Sequence, residues 1–325
     1  MERNVGRFGR GDYGEAKHML TGNIVVLGGT GSLGQALVKR LLATTVLDVT
    51  VFSRGEEKQR QMKAIFPEAH YVIGDVRDYD AVYDVLFGVN YVILASVLKQ
   101  IPTVENFPFE GIKTNILGAQ NVIRAAKAWA VDVVVGISTD KAVKPVNAYG
   151  ATKMLMERLF TAEQSVYTKF ILTRYGNVMG STGSVIPLFA SLSAEKKPLP
   201  VTDQRMTRFL LTLNQAVDTV MMALQCGNPG EIWIPQTPSA NIYDLAQCFS
   251  NDIAIVGSRP GEKVHEILVS EEELPRTVAE DEYLVVQPSG HGVNKDFRLD
   301  KEFSSADYVL EPNDLQMLLK EEKWI

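Results

Sequence analysis

Short runs of apolar, β-branched residues recur along the chain, and segments with helical periodicity separate them. The apolar runs predict strands at residues 24–27, 49–52, 71–73, 91–94, 133–137 and 170–173. The intervening periodicity predicts helices at residues 33–43, 56–66, 80–87, 110–129, 147–162, 214–225 and 241–249. Because the strand runs are continuously apolar rather than alternating, we expect them to be buried on both faces. The pattern therefore predicts an α/β fold with a doubly wound parallel sheet.

The regular alternation of predicted strands and helices becomes less clear after about residue 176, where Gly and Pro divide the chain into shorter segments. This change favours a second, smaller domain built from excursions of the chain. We expect a nucleotide-binding domain at residues 23–177 and about 210–235. Residues 178–209 and 236–325 would form a C-terminal substrate-binding domain, and residues 1–22 a polar N-terminal extension.

Composition narrows the possible functions. Thirty-three Lys and Arg against 39 Asp and Glu give a net charge of −6, the wrong sign for binding nucleic acid by bulk electrostatics. The two cysteines, Cys226 and Cys248, form no C-x-x-C pair. The histidines match no ligand spacing: His18, His70, His265 and His291. With no apolar run near the roughly 18 residues that cross a bilayer, we expect a cytoplasmic protein without metal, membrane or nucleic-acid partner.

A glycine-rich loop, Gly-Gly-Thr-Gly-Ser-Leu-Gly at 28–34, follows the first predicted strand and opens a predicted helix. Its glycines let the main chain approach a pyrophosphate, and the helix N-terminus presents N–H groups to it. The alternative is a tight turn without a ligand. We expect a Rossmann-type dinucleotide site formed by Gly28, Thr30, Gly31, Ser32, Leu33 and Gly34.

The end of the second predicted strand indicates which dinucleotide binds. An acidic residue there would hold the adenosine ribose, but this chain has Ser53, Arg54 and, one turn later, Lys58. A guanidinium pairs with phosphate through two N–H groups, so we expect NADP rather than NAD. The alternative is a solvated, basic helix start. Asp75 and Val76, after the third strand, would lie near the adenine.

The stretch at residues 137–153 is the most informative part of the sequence. Tyr149 and Lys153 are spaced i, i+4, so both would lie on one helix face, where the ammonium would lower the pKa of the phenol. A tyrosinate there takes a proton from a substrate hydroxyl, which Thr139 at the fifth strand's end would also contact. Tyr-x-x-x-Lys alone is common on amphipathic helices. Together with the glycine-rich loop, it predicts an enzyme.

At these residues the chain resembles the extended short-chain dehydrogenases/reductases, and among them the inverting UDP-N-acetylglucosamine 4,6-dehydratases. The matching motifs, in order, are Gly-Gly-Thr-Gly-Ser at 28–32, Gly-Asp-Val-Arg-Asp at 74–78, Ile-Lys-Thr-Asn at 112–115, Ser-Thr-Asp-Lys-Ala at 138–142, Tyr-Gly-Ala-Thr-Lys at 149–153, Arg-Tyr-Gly-Asn-Val at 174–178, Met-Thr-Arg-Phe at 206–209 and Arg-Pro-Gly-Glu-Lys at 259–263. The resemblance implies tightly bound NADP, a UDP-sugar substrate and a homodimer or larger homo-oligomer.

The resemblance also implies roles for single residues. Tyr149 would take the 4-hydroxyl proton, after which Lys141 would act as base at carbon 5 and Asp140 as acid for the departing 6-hydroxyl. The positions near the UDP-sugar are Lys99, Thr139, Asn177, Arg208, Arg259 and Glu262. Lys99 would also lie near the nicotinamide side of the cofactor, and Ala95 would contact the cofactor.

The chain departs from the family pattern at four positions beside these motifs. Leu94 and Gln100 replace histidines, Val97 replaces a smaller residue, and Thr182 stands where an arginine is usual. Because of these changes, the sequence does not determine which hexose is the substrate or which configuration the product has at carbon 5.

Two other functions fit part of the sequence. A UDP-sugar 4-epimerase would keep the loop, Thr139, Tyr149 and Lys153 but lose no water, so the Asp140-Lys141 pair argues against it. A non-catalytic NADP-binding regulator would need the glycines and not Tyr-x-x-x-Lys.

Overall fold

A nine-stranded sheet lies at the centre of the computed structural model, which describes residues 20–290 and 299–325. The strands are β1 (Thr21–Leu27), β2 (Val46–Ser53), β3 (His70–Ile73), β4 (Tyr91–Leu94), β5 (Val133–Thr139), β6 (Lys169–Tyr175), β7 (Asn177–Val178), β8 (Leu199–Val201), β9 (Thr207–Leu211), β10 (Ile232–Pro235), β11 (Ser239–Asn241), β12 (Ile253–Ile255), β13 (Ile267–Val269), β14 (Thr277–Glu280), β15 (Tyr283–Val286) and β16 (Phe303–Ser304). The predicted extension at residues 1–22, apart from its last three residues, lies outside the described residues, as do His18 and His291.

The α-helices are α1 (Ser32–Thr44), α2 (Glu56–Ile65), α3 (Tyr79–Val85), α4 (Ile101–Asn106), α5 (Pro108–Gly111), α6 (Gly118–Ala128), α7 (Ala148–Thr161), α8 (Val185–Ala194), α9 (Leu213–Cys226), α10 (Ile242–Gln247) and α11 (Pro312–Glu321). A π-helical turn at Ile112–Leu117 joins α5 to α6, and 3₁₀ turns lie at Asp140–Ala142 and Leu274–Arg276. No helix among residues 20–290 and 299–325 is long and apolar enough to cross a bilayer.

The large sheet has the order β14-β15-β10-β6-β5-β4-β1-β2-β3. Every pairing from β3 across to β10 is parallel, and β15 and β14 continue the sheet antiparallel beyond β10. All six predicted strands are present, so the predicted parallel sheet is confirmed. The chain leaves β1 and β4 in opposite directions along the sheet, and such a reversal opens a crevice for a ligand beyond their carboxyl ends.

Both faces of the sheet are covered. Ile24 and Val26 of β1 pack in one apolar core with residues of α1 and α9, whereas Val25 and Leu27 pack in a second core with residues of α3, α6 and α7. Alternate residues of one strand thus enter opposite cores, which explains the unbroken apolar run in the sequence. The doubly wound arrangement is confirmed.

A third apolar core lies outside the sheet and includes Met179, Phe189, Leu199, Leu245 and Leu315. It joins α8, β8, α10 and α11, all from the stretches predicted to form the smaller domain. The predicted domain boundaries otherwise stay a prediction. One segment departs from them, because the β14–β15 hairpin at residues 277–286 extends the large sheet although it was assigned to the smaller domain.

The predicted single helix at residues 110–129 is instead α5, the π-helical turn and α6. The wide turn contains Asn115, whose buried amide accepts from Leu98 N at 2.9 Å and donates to Leu98 O at 3.0 Å and Thr152 Oγ1 at 2.9 Å. These bonds fix the loop after β4 against α7. A helical pattern in the sequence does not reveal this insertion, because its cause is a contact with a distant segment.

Candidate active site at the carboxyl ends of the parallel strands

A cleft of about 1590 Å³ opens beyond the carboxyl ends of the parallel strands. All the predicted site residues lie within the described part of the chain, and all but two of them line this cleft. The exceptions are Asp140 and Lys153, whose side chains are buried behind the wall. The lining members are Gly28, Thr30, Gly31, Ser32, Leu33, Gly34, Ser53, Arg54, Lys58, Asp75, Val76, Ala95, Lys99, Thr139, Lys141, Tyr149, Asn177, Arg208, Arg259 and Glu262.

The glycine-rich loop brings main chain to the cleft surface. Gly28 has a φ of +85°, and a Cβ there would lie 2.7 Å from the main-chain nitrogen of Ser96. A Cβ on Gly34 would lie 2.5 Å from Gly29 Cα, so α1 packs directly on the loop. No described side chain caps the N-terminus of α1 at Ser32, which leaves its first N–H groups for a ligand. The loop fits a dinucleotide pyrophosphate.

Two cations lie at the end of β2. The Arg54 side chain is 61% exposed, with Nη1 3.6 Å from Asp75 Oδ2, and Lys58 lies on the first turn of α2. Burial alone would raise the pKa of Asp75, but hydrogen bonds from Arg77 at 2.6 to 3.0 Å outweigh that effect and lower it. Arg77 is the nearer partner of Asp75, and the side chains of Arg54 and Lys58 both line the cleft. This arrangement suits a phosphate.

The loop after β4 carries Ala95 and Lys99. Ala95 N donates to Leu27 O at 2.9 Å, which ties the loop to β1. Burial lowers the pKa of Lys99. The loop thus places a partly desolvated amine at the cleft wall.

Thr139, Asp140 and Lys141 form a bonded group at the end of β5. Asp140 is fully buried, and its Oδ1 accepts from Thr139 Oγ1 and Lys141 Nζ, both at 2.9 Å. Its Oδ2 accepts no hydrogen bond from the described residues. Thr139 and Lys141 line the cleft, so the Asp140 carboxylate holds both of them from behind.

Tyr149 lies at the start of α7, where burial raises the pKa of its phenol to about 12. The positive charge of Lys141 and hydrogen bonding by Thr139 lower that pKa, whereas Asp140 raises it. Lys153 Nζ instead donates to Ile137 O at 2.6 Å, and burial lowers the pKa of Lys153 to about 7. The role of Lys153 in lowering the pKa of the phenol stays a prediction; in this structure its amine donates to the main chain of β5, and Lys141 is the cation that lowers that pKa.

The predicted sugar-nucleotide residues differ in how they are held. Arg208 donates to the carbonyls of Thr207, Lys263 and Val264 at 2.7 to 3.1 Å, so it fastens β9 to the segment at 263–264. Arg259 is exposed, and its main-chain N–H donates to Glu262 Oε2 at 3.2 Å. Of these two arginines, Arg259 is thus the exposed one at the cleft.

Asn177 lies deeper, in β7, and its Oδ1 is buried without a hydrogen bond from the described residues. It offers an acceptor to a ligand hydroxyl.

The positions that depart from the family pattern also lie at the cleft. Thr182 Oγ1 is 3.1 Å from Ser32 Oγ, so its loop touches the glycine-rich loop directly. A Cβ on Gly183 would lie 2.5 Å from Gln100 Nε2. Gln100 thus lies against the residue that follows Thr182, and both substituted positions line the cleft.

Glu266 is a cleft residue that sequence reasoning missed. It is 3% exposed, and its Oε1 lies 3.8 Å from Lys141 Nζ. Its one sequence signal is its place three residues after the Arg-Pro-Gly-Glu-Lys stretch, where a glutamate would ordinarily be taken for a surface residue.

Known proteins resemble this chain over most of its length. It matches the family described as polysaccharide biosynthesis protein over residues 24–288. A UDP-N-acetylglucosamine 4,6-dehydratase (inverting) of Campylobacter jejuni is 43% identical over 284 residues, 84% of this chain and 85% of that protein. A UDP-glucose 4-epimerase of Rickettsia bellii is 42% identical over 287 residues, 83% of this chain and 84% of that protein.

Solved structures share the fold. The structure of Pen from Bacillus thuringiensis superposes with a TM-score of 0.88 at 33% identity, covering 93% of this chain and 98% of that one. A dTDP-glucose 4,6-dehydratase of Streptomyces venezuelae, solved with NAD bound, has a TM-score of 0.69 at 21% identity over 74% of this chain and 86% of its own. The second likeness shows the fold alone.

Proposed function

The chain belongs to the polysaccharide biosynthesis protein family of extended short-chain dehydrogenases/reductases, enzymes that modify nucleotide sugars, and we propose that it is a UDP-N-acetylglucosamine 4,6-dehydratase using NADP. The observation that carries the proposal is the Asp140–Lys141 ion pair at 2.9 Å, with Lys141 facing the cleft beside Thr139 and Tyr149. Oxidation at carbon 4 needs a tyrosine, but elimination needs a second acid–base group. This pair supplies one.

The dinucleotide would lie along the glycine-rich loop, with its pyrophosphate at the N-terminus of α1 and its 2′-phosphate near Arg54 and Lys58. The crowded Gly28 and the uncapped start of α1 fit such a group. When bound, the cofactor takes hydride from carbon 4 of the sugar and returns hydride to carbon 6.

Tyr149 takes the proton of the 4-hydroxyl. Its phenol is buried, so it needs a nearby positive charge to ionise, and Lys141 supplies that charge. Thr139 lies in the same wall and hydrogen-bonds the hydroxyl. Lys153 holds the start of α7 against β5 through its bond to Ile137 O.

The ketone at carbon 4 acidifies the hydrogen at carbon 5, which Lys141 removes. The amine must give up its own proton before this step, and Asp140, which accepts a hydrogen bond from Lys141 Nζ at 2.9 Å, is the group placed to take it. That proton then goes to the departing 6-hydroxyl through Thr139, whose Oγ1 is 2.9 Å from Asp140 Oδ1, because Asp140 itself does not line the cleft. The C–O bond breaks as water leaves, and the lysine holds the proton taken from carbon 5. When hydride returns to carbon 6, carbon 5 takes up a proton that has exchanged with solvent, which completes the reduction of the double bond.

Arg259 and Asn177 are proposed to bind the diphosphate and a sugar hydroxyl, and Glu262 a ribose or uracil group. Arg208 orders this region rather than forking onto the diphosphate, because both of its Nη atoms donate to carbonyls. The exposed apolar side chains of Leu117 and Leu155, near α6 and on α7, support the proposal of a homo-oligomer. Cytoplasmic location also stays a prediction.

The second candidate is a UDP-sugar 4-epimerase, which the name of the Rickettsia relative favours. It would use the same loop, Thr139 and Tyr149. Product mass separates the two: incubation with UDP-N-acetylglucosamine gives a product lighter by one water from a dehydratase, and an unchanged mass with an altered sugar from an epimerase. If the protein converts none of the UDP-hexoses tested, the result favours a non-catalytic NADP-binding regulator. NMR of the product's carbon 5 then decides whether the configuration inverts.

A further inference from the structure

Glu266 reaches the catalytic end of the cleft from a segment remote from β5. Its main chain is fixed on both sides by Ser305, since Glu266 N donates to Ser305 Oγ at 2.9 Å and Ser305 N donates to Glu266 O at 2.8 Å. With the backbone held and the residue 3% exposed, the carboxylate has little freedom to turn elsewhere. Contacts with a distant segment of the chain thus fix the position of the Glu266 carboxylate.

Three cations surround the Glu266 carboxylate. Oε1 lies 3.8 Å from Lys141 Nζ and 3.9 Å from Arg208 Nε, and Oε2 lies 3.5 Å from Lys263 Nζ. Oε2 accepts no hydrogen bond from the described residues. A buried carboxylate is costly unless opposite charges compensate it, and these three cations supply that compensation.

Four groups face Lys141: the carboxylates of Asp140 and Glu266, the guanidinium of Arg208 and the phenol of Tyr149. Burial alone would lower the pKa of Lys141, and Arg208 adds to that effect. The two carboxylates outweigh both and raise it. Asp140 is adjacent to Lys141 in sequence, whereas Glu266 comes from a distant segment. The effect of Glu266 on the pKa of Lys141 therefore depends on the tertiary structure.

We propose that Glu266 is a positioning residue for Lys141, whose carboxylate holds the ammonium at the cleft wall and sets the pH at which the lysine gives up its proton. The proposal rests on the dehydratase function proposed above, in which Lys141 acts on carbon 5. Without the charge of Glu266, Lys141 is paired with Asp140 alone and becomes a neutral amine at lower pH.

The test is Glu266→Gln in the full chain. We expect the titration of Lys141 to move about one pH unit lower, the lower end of what one nearby opposite charge contributes. Competitive acetylation between pH 7 and 11, with peptide mass spectrometry, reports the titration of this lysine without any sugar. The acid limb of the pH profile of dehydration should move by the same amount.

Glu302→Gln is the matched control, because Glu302 pairs with Lys144, an exposed lysine three residues after Lys141. It should leave the titration of Lys141 unchanged. Glu266→Asp keeps the charge but draws it back by one methylene, so it should retain most turnover and shift the titration in the same direction by less.

An unchanged titration of Lys141 in folded Glu266→Gln overturns the proposal. If that variant does not fold, Glu266→Asp decides in its place, and an unshifted titration there has the same consequence. A wild-type protein that releases no dehydrated sugar refutes the proposed function instead, while the acetylation experiment still reports on Glu266.

Discussion

Two ends of the cleft hold charge differently: the end at Asp140 and Lys141, which we propose to be catalytic, and the end at Arg54, which we propose to hold the adenosine. At the catalytic end Asp140 is 0% exposed and the Lys141 side chain 17%, and their ion pair is 2.9 Å long. At the adenosine end the Arg54 side chain is 61% exposed and lies 3.6 Å from Asp75. A charge pair acts much more strongly in a buried, low-dielectric setting than at a surface, where water screens it. We therefore expect substitutions at the catalytic end to abolish most of the activity, and substitutions at the adenosine end to weaken cofactor binding by only several-fold.

The largest effect is expected for Tyr149→Phe. The variant keeps the ring but loses the group that accepts the first proton, so product formation should fall by at least about 10²–10⁴-fold, the contribution of general acid–base catalysis. Mass spectrometry of the UDP-sugar measures it. Tyr167→Phe, at an exposed tyrosine, should retain wild-type turnover. Near-normal product formation by Tyr149→Phe would remove the tyrosine from the mechanism.

Lys141→Ala tests whether oxidation and elimination separate. Removing Lys141 takes away the positive charge that favours ionised Tyr149, so oxidation at carbon 4 should slow, whereas elimination loses its base altogether. The reduced nicotinamide that does form should therefore accumulate on the enzyme, visible by near-ultraviolet absorbance, while dehydrated product falls by about 10²-fold or more. In deuterated water the wild type should incorporate deuterium at carbon 5. Lys144→Ala, which removes an exposed lysine close in sequence, should behave as wild type. Dehydration at the wild-type rate by Lys141→Ala would show that this lysine is not the base.

Lys153 tests the cost of a buried charge. Its pKa is lowered from 10.5 to about 7 by burial, so between these values the unfolded chain binds a proton that the folded protein does not. Stability therefore rises with pH across this range, and the penalty is complete below about pH 7. Lys153→Met should raise the free energy of unfolding by at least about 1.4 kcal/mol at pH 7.5, the equivalent of one pKa unit, and by less at pH 9.5.

Urea unfolding of both proteins at the two pH values measures this difference. Lys127→Met removes an exposed lysine and should show no such trend. If the difference in the free energy of unfolding between Lys153→Met and the wild type stays constant with pH, burial does not lower the pKa of Lys153.

The smallest effect is expected at Arg54. An exposed guanidinium that contacts a phosphate contributes about 1 kcal/mol, so Arg54→Ala should reduce the preference for NADP over NAD by several-fold without abolishing binding. Calorimetric titration with each dinucleotide measures the ratio, and Arg60→Ala, at a surface pair with Glu57, is the control. Equal affinities in the wild type would contradict the assignment of Arg54 and Lys58 to a 2′-phosphate.

The sequence by itself predicted what depends on neighbouring residues. The apolar runs gave the six parallel strands because burial on both faces leaves an unbroken hydrophobic signature in each strand. The glycines at 28, 31 and 34 and the bonded group at 139–141 are each contained in one short stretch. Their placement at the cleft follows from the strand ends that carry them.

Only the tertiary structure decided which charges act on one another. The i, i+4 spacing placed Tyr149 and Lys153 on one helix, but the Lys153 amine turns to Ile137 O, and the cation that lowers the phenol's pKa is Lys141. Glu266 is 125 residues from Lys141 in the chain and 3.8 Å from it in space. Electrostatic coupling depends on distance and burial, and neither is written in a local pattern when the partners come from distant segments.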